Sequence, residues 1–185
     1  IRSVCFCSND VDIVRSDPSY RRLWIDKVVS QLEPVYIELI SRFNRLLKQR
    51  SHFWRSESFL KSQCSEIIES FDIQMSLIST RIFRRRRRAL IKIKPYVEYW
   101  HNHLSKSKEQ IGLNYLPSIE NISQEEEEEE FISRKIQEQL FSQRSIEALT
   151  GKCNLGPHRD DIEFLINDIS VRKYGSSGQQ RTFIL

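Results

Sequence analysis

The chain lacks the patterns that define membrane-spanning, zinc-binding and disulfide-rich proteins. None of its apolar runs approaches the roughly 18 residues of a membrane helix, so we expect no membrane partner. Its four cysteines form no C-x-x-C pair and lie far from His101 and His103, so we predict no metal site. Reduced thiols of this kind are typical of cytoplasmic proteins, and we expect that location.

Glycine is absent from the first 111 residues, and all five glycines of the chain follow. Because glycine destabilises a helix interior by about 1 kcal/mol and is frequent in tight turns, its absence predicts a long helical segment. The chain also lacks an initial methionine and ends in the apolar run Thr182–Leu185. We therefore expect it to be a fragment of a longer protein.

Apolar residues at intervals of three and four divide the glycine-free segment into helices. Asp17-Pro18-Ser19 is a typical helix start, and we expect this helix to reach about Leu32, with Pro34 opening the next one. From about Ser58 the same spacing continues to Leu104. This spacing predicts a helical arm made of one long helix, or of two helices broken at Pro95.

The other segments mix strands with further helices. Strands are predicted at Val4–Cys7, Ile111–Leu116, Ile162–Ile166 and Ile169–Tyr174, with a turn at Asn167-Asp168. Helices are predicted from the acidic run Glu125–Glu130, as a solvated first turn, to about Arg144, and from near Gln179 onward. The predicted fold class is α+β and mostly α.

Charge is distributed unevenly along the chain. Residues 1–110 carry 21 Lys and Arg against 12 Asp and Glu, whereas residues 111–185 carry 8 against 13. A basic first part favours a polyanionic partner. Its densest run, inside the long predicted helix, consists of Arg84, Arg85, Arg86, Arg87 and Arg88. Since five consecutive residues cover the whole circumference of a helix, some of them are candidates for DNA phosphate contacts; the alternative is a solvated tip or pairing with acidic residues.

Two stretches near the end of the chain combine residues that bind ions. His158, Arg159, Asp160 and Asp161 form a polar cluster that could position a cation, water or phosphate, or could be a charged loop with an internal ion pair. Neighbours on a strand point to opposite faces, so the two aspartates do not suit one metal ion. The second stretch, Tyr174–Arg181, is a small-residue turn before a helix, which is either an anion site or a helix cap.

Together these stretches resemble the RecF family of bacterial recombination and gap-repair ATPases, of the ABC/SMC class. The specific matches are GPHRDDI at residues 156–162 and YGSSGQQRT at residues 174–182, the second being similar to the family's form of the ABC signature motif. Supporting matches lie at residues 17–26, 41–50 and 113–118. The family usually has Gln at the position of Ser177.

The resemblance implies an ATP-dependent DNA repair and recombination protein that binds DNA at single-strand gaps and, with RecO and RecR, helps to load RecA. It assigns residues 1–16 and 111–185 to an ABC-type ATPase head, and residues 17–110 to a helical lid inserted into it. It also implies a homodimer that forms with ATP and Mg²⁺. In that dimer one subunit contacts the γ-phosphate bound by the other through Ser176, Ser177, Gly178 and Gln179.

The Walker A and Walker B motifs of the family have no match in this sequence, so the resemblance implies that the chain alone does not hydrolyse ATP. Gly151-Lys152 is similar to the end of a phosphate-binding loop, but Ile146 and Cys153 do not fit that motif. Two alternatives stay open. One is another SMC-like ATPase with a short arm, and the other is a non-catalytic helical module whose basic arm binds a protein partner.

Overall fold

The computed structural model describes residues 7–55, 64–106, 109–122 and 128–184. Its helices are α1 (Asp12–Arg15), α2 (Pro18–Leu32), α3 (Val35–Arg55), α4 (Cys64–Ser105), α5 (Glu129–Thr150), α6 (Val171–Tyr174) and α7 (Ser177–Thr182). Its strands are β1 (Ile111–Leu116), β2 (Asp161–Ile166) and β3 (Ile169–Ser170). This content confirms the α+β, mostly helical class. None of the helices in the described ranges has the length and apolar character that would let it cross a membrane.

The long predicted helix is continuous. α4 runs for 42 residues and passes through Pro95 without a break. Proline has no N–H to donate, so the carbonyl of Ile91 loses its helical partner. Both residues are exposed, which allows water to replace that donor. Of the two alternatives for this segment, the single helix is correct.

The predicted end of the acidic helix is wrong, and its predicted start lies partly outside the described residues. Residues 125–127 lie outside the described part of the chain, and Glu128 has an extended backbone, so α5 begins at Glu129. The helix continues six residues beyond the predicted end at Arg144 and stops at Gly151, which has φ 63° and donates its N–H to the Glu147 carbonyl at 2.7 Å. The helix end is therefore set by the glycine that adopts the left-handed conformation, and not by the last apolar position.

The three strands form one antiparallel sheet in the order β1-β2-β3. Asn167 and Asp168 have φ values of 50° and 62° and make the two-residue turn between β2 and β3, which confirms the predicted turn. The predicted strand Ile169–Tyr174 is wrong, because β3 ends after two residues and the chain continues as α6. The predicted strand at Val4–Cys7 lies, except for Cys7, outside the described residues.

The chain divides into two compact units, and α2 and α4 contribute to both. Unit 1 comprises residues 1–28, 86–116 and 161–185, and unit 2 comprises residues 29–85 and 117–160. These bounds cut across the head and lid segments that the resemblance assigns, so the head and lid assignment stays a prediction.

Unit 1 is organised around aromatic contacts on the sheet. The ring of Phe164 on β2 lies edge-on to Trp24 of α2 at 5.6 Å between centroids, and 5.1 Å from Phe183, which follows α7. The ring of His101 on α4 also contacts Phe183, at 6.0 Å between centroids. These contacts fix the turn between α6 and α7 relative to the sheet.

Unit 2 packs α3, the first part of α4 and α5 around an apolar core. Its fully buried members include Tyr36, Phe43, Met75, Ile82, Ile132, Ile136 and Leu140. On α3 the buried residues Tyr36, Leu39, Phe43 and Leu46 form an apolar stripe, and the opposite face of that helix lies in solvent.

Candidate functional site

The turn between α6 and α7 is a capping box. Ser176 precedes α7, and its hydroxyl oxygen accepts the backbone N–H of Gln179 at 3.2 Å. The side-chain oxygen of Gln179 accepts the backbone N–H of Ser176 at 2.9 Å. Two donors at the start of the helix are therefore satisfied within the turn. This geometry confirms the predicted helix start and assigns Gln179 a role inside the turn.

Hydrogen bonds of Gln179 and the buried Gln180 hold this turn in place. Gln180 is 7% exposed, donates its side-chain N–H to the Val171 carbonyl at 3.1 Å, and accepts a hydrogen bond from Arg15 of α1. The amide of Gln179 donates to Glu109 at 3.4 Å, and Glu109 also contacts the buried His101 ring at 2.6 Å. The turn is thus held by its glutamines, whereas Ser176, Ser177 and Gly178 are exposed.

The two glycines of the turn have different structural needs. A Cβ on Gly175 would lie 2.6 Å from the carbonyl oxygen of Val171, so the fold itself requires glycine there. A Cβ on Gly178 would meet only the Ser176 hydroxyl, at 3.8 Å, and Gly178 does not have a positive φ. Packing therefore does not explain Gly178. A glycine that the fold does not need, in an exposed first turn, leaves room for another molecule to approach the backbone closely.

The exposed part of the turn has the donors that an anion requires. The Ser176 hydroxyl accepts one hydrogen bond and keeps its own proton for donation. Ser177 and Gly178 occupy the first two helical positions, where the backbone N–H groups have no acceptor within the helix. Arg15 reaches Ser177 at 3.3 Å and adds a positive charge beside the turn. These donors fit a phosphate group, as the anion-site hypothesis requires.

The predicted polar cluster at residues 158–161 does not form one site. Asp160 is 2% exposed and accepts the backbone N–H of Ser118 at 2.8 Å, and Ser118 in turn bonds Gly156. His158 lies near Phe43 at 5.7 Å and contacts the Cys153 carbonyl. Asp160 and His158 therefore stabilise loop contacts within unit 2. The exposed Arg159 bonds Asn154 at 3.3 Å, in the same loop.

Asp161 takes part in a different interaction, within unit 1. It binds the guanidinium of Arg21 with both carboxylate oxygens, at 2.7 and 3.1 Å. Arg21 is 2% exposed and also donates to the carbonyls of Ile13 and Ser16. Asp160 lies just before β2, and the two neighbouring aspartates have separate partners. No group of three or more metal-ligating side chains occurs among the described residues.

Three members of the arginine run pair with acidic residues. Arg84 pairs with Glu129, and Arg85 pairs with Glu33 at 2.9 Å. Arg86 is buried and binds Asp26 with two hydrogen bonds, at 2.8 and 3.0 Å. Arg87 is also buried, and Arg88 is exposed. Of the two alternatives for this run, the observed geometry favours pairing with acids for these three, and DNA contact by the run stays a prediction.

The buried ion network of unit 2 was not anticipated. Arg50 is fully buried, pairs with Asp72 on α4, and donates to Glu147 on α5 at 2.7 Å. Glu147 also accepts the indole N–H of Trp54 at 2.9 Å, and Arg144 pairs with Asp72 at 2.6 Å. Burial opposes the charge of Arg50, but the carboxylates outweigh it and raise its pKa above the ordinary value. The sequence did contain a signal, because Arg50 falls on the apolar stripe of α3.

Comparison with known proteins gives one consistent result. The chain is 44% identical over 185 residues to the DNA replication and repair protein RecF of Synechococcus sp. (strain CC9605), and 43% identical over 186 residues to that of Parasynechococcus marenigrum (strain WH8102). Each alignment covers 100% of this chain and 50% of the relative. The chain therefore spans about half the length of the curated relatives it matches. No family model matches it.

Solved structures agree with the sequence relatives. The chain superposes on the recombination mediator protein RecF-ATPrS in the RecFOR pathway with a TM-score of 0.88 and 27% identity, covering 97% of this chain and 47% of that one. The structure of RecF-ATP in the same pathway gives a TM-score of 0.86. By sequence and by fold, the chain belongs to the RecF family, of which it represents about half the length.

Proposed function

We propose that this chain is part of an ATP-dependent DNA repair and recombination protein of the RecFOR pathway. The support is its similarity to RecF along its whole length and its likeness to structures of RecF with ATP. Within that protein it supplies the signature turn, and the remainder of the nucleotide site comes from elsewhere in the protein. The proposed place of action is the cytoplasm, where the bacterial chromosome is found.

The observation that carries the proposal is the exposed face of the turn before α7. Ser176, Ser177 and Gly178 are exposed, while buried side chains hold the turn in place. Rigidly held donors lose little freedom when an anion binds, so they bind it more tightly than flexible ones do. We propose that these three residues contact the γ-phosphate of ATP bound by a second subunit, with Gln179 maintaining the turn. Mg²⁺ would accompany the nucleotide, and its ligands lie outside this turn.

DNA is the proposed substrate of the assembled protein, at gaps where a single strand is exposed. RecO and RecR are the proposed partners, since the solved relatives belong to the RecFOR pathway. The dimer would form with ATP, because the turn of one subunit completes the phosphate contacts of the other. In this proposal ATP links dimer formation to the loading of the recombinase on DNA.

Substitution of Ser176 tests the role of the turn in the protein of natural length. Ser176→Asp keeps an oxygen that caps the helix but replaces a phosphate donor by a negative charge. Ser176→Arg removes the cap acceptor and fills the space. Losing charge-assisted hydrogen bonds worth roughly 1.5–3 kcal/mol should weaken the ATP-dependent dimer by about tenfold to a hundredfold or more. Sedimentation with ATP measures the dimer.

ATP binding at low protein concentration is the parallel measurement, and Ser145→Arg is the control. Ser145 is an exposed serine on α5, so this variant should dimerise as the unsubstituted protein does. Normal dimer formation by Ser176→Asp would refute a contact across the dimer. Loss of ATP binding by the monomer would instead make the turn a structural element of the subunit.

A further inference from the structure

The outer face of α3 has a row of basic side chains that extends to the last residue of the helix. The basic row consists of Arg42, Arg45, Lys48, His52 and Arg55, and all five are exposed. Their spacing of three, three, four and three residues keeps them on one side of the helix, opposite the buried stripe. With a rise of 1.5 Å per residue, the row is about 20 Å long.

No acidic residue lies on the exposed surface of α3 between the members of the basic row. Between Glu38 and the end of α3 at Arg55, the exposed positions that are not basic are filled by uncharged Ser41, Asn44 and Gln49. Within the part of the chain that the structure describes, none of the five basic side chains takes part in an ion pair. On α5, by contrast, Lys135 pairs with Glu138 at 3.0 Å. Protein surfaces normally mix both signs, so a row of one sign needs an explanation.

The arginine run of α4 differs from the basic row in this respect. Arg84, Arg85 and Arg86 are bound to carboxylates of the chain itself. A phosphate would have to displace those carboxylates, whereas cations that face water lose only counterions when a phosphate binds. The basic row is therefore better suited to phosphate contacts than the arginine run is.

We propose that the basic row of α3 binds the phosphate backbone of DNA. A row of about 20 Å matches the length of about six base pairs along one strand, since phosphates of a strand advance by about 3.4 Å. Binding of this kind is independent of base sequence, because phosphate contacts carry no sequence information. This inference rests on the proposed function, which makes DNA the substrate, and it adds the surface that binds it.

A triple substitution tests the proposal in the protein of natural length. The variant Arg42→Gln, Arg45→Gln, Lys48→Gln removes three charges without breaking an ion pair among the described residues, so it should fold normally. The matched control is Arg88→Gln, Lys92→Gln, Lys94→Gln, which removes three exposed charges from α4 and includes the accessible end of the arginine run. Binding to a labelled duplex of about 30 base pairs is followed by fluorescence anisotropy between about 0.05 and 0.3 M salt.

We expect the α3 variant to lose affinity by roughly tenfold or more at 0.1 M salt. The slope of log K against log salt should fall by about 0.9 for each phosphate that the protein no longer neutralises, and by about 0.7 with single-stranded DNA. The control should change neither affinity nor slope by a comparable amount. An unchanged slope in the α3 variant would overturn the proposal. An equal loss of affinity in the control would also overturn it, because the effect would then follow net charge and not the position of the basic row.

Two further results separate this proposal from the one on which it rests. Absence of DNA binding by the unsubstituted protein would refute the proposed function before any variant is examined. If poly-glutamate competes as well as DNA at equal charge concentration, the row binds acidic polymers generally, an acidic protein becomes the better ligand, and the DNA proposal is wrong. Weak competition by poly-glutamate supports recognition of the phosphate backbone.

Discussion

Replacing Arg50 by methionine should strongly destabilise unit 2. Arg50 lies within the helical core and connects α3 to Asp72 of α4 and Glu147 of α5. Methionine fills a similar volume but has no charge, so Glu147 would lose its cation while remaining fully buried. Asp72 would keep Arg144 as a partner at 2.6 Å, which limits the loss on that side.

The size of the effect follows from burial. Breaking a buried ion pair by removing one partner lowers the free energy of unfolding by about 3–5 kcal/mol, because a charge is left without compensation. In a domain of this size, 1 kcal/mol shifts the melting temperature by about 2–4 °C, so we expect a fall of roughly 10 °C. Thermal and urea unfolding, both followed by circular dichroism of the helices, measure it.

A control and a double-mutant cycle make this test specific. Arg45→Met changes an exposed arginine on the same helix and should alter stability by at most about 0.5 kcal/mol. Combining Arg50→Met with Glu147→Gln removes both charges of the pair, so the double variant should lose less than the two single variants together, by about 0.5–3 kcal/mol. A loss below about 1 kcal/mol for Arg50→Met, or simple additivity, would refute the reasoning.

Two other predictions concern Cys153 and the glycines of the turn. Burial, followed by the nearby Glu147 carboxylate, raises the pKa of Cys153 from 9.0 to about 12. Below pH 9 the thiol is protonated in both the folded and the unfolded protein. Between pH 9 and about 12 it loses its proton only in the unfolded protein. Stability should therefore fall by up to about 1.4 kcal/mol per pH unit between pH 9 and 12, and urea titrations of Cys153→Ala should lack this contribution. Gly175→Ala should lower the melting temperature, because its Cβ would meet a carbonyl oxygen at 2.6 Å, whereas Gly178→Ala should leave it nearly unchanged; equal effects in calorimetry would contradict this assignment.

Local patterns correctly predicted the bounds of α2 and the hairpin turn. α2 begins at Pro18 and ends at Leu32 as expected, since proline is favoured in the first helical turn and the apolar spacing persists to that point. Asn167-Asp168 forms the turn because these residue types tolerate positive φ. These features depend on residues within a few positions of one another, so one sequence contains enough information to place them.

Errors arose where a boundary depended on contacts beyond the local pattern. A strand was predicted from Ile169 to Tyr174, yet the sheet extends only to Ser170 and the chain then turns into α6. A strand persists only where a neighbour supplies its hydrogen bonds, and that neighbour is not visible in an alternation of apolar residues.

The sequence by itself determined the family, the helical class and the position of the turn before α7, because motifs and periodicities are local. Only the tertiary structure decided which cations are available. Arg84, Arg85 and Arg86 find carboxylates that lie 45, 52 and 60 residues away in the chain. The cations of α3, less conspicuous as a sequence pattern, face solvent together. Charge pairing depends on which distant residues the tertiary fold brings together. A local sequence pattern does not show these contacts.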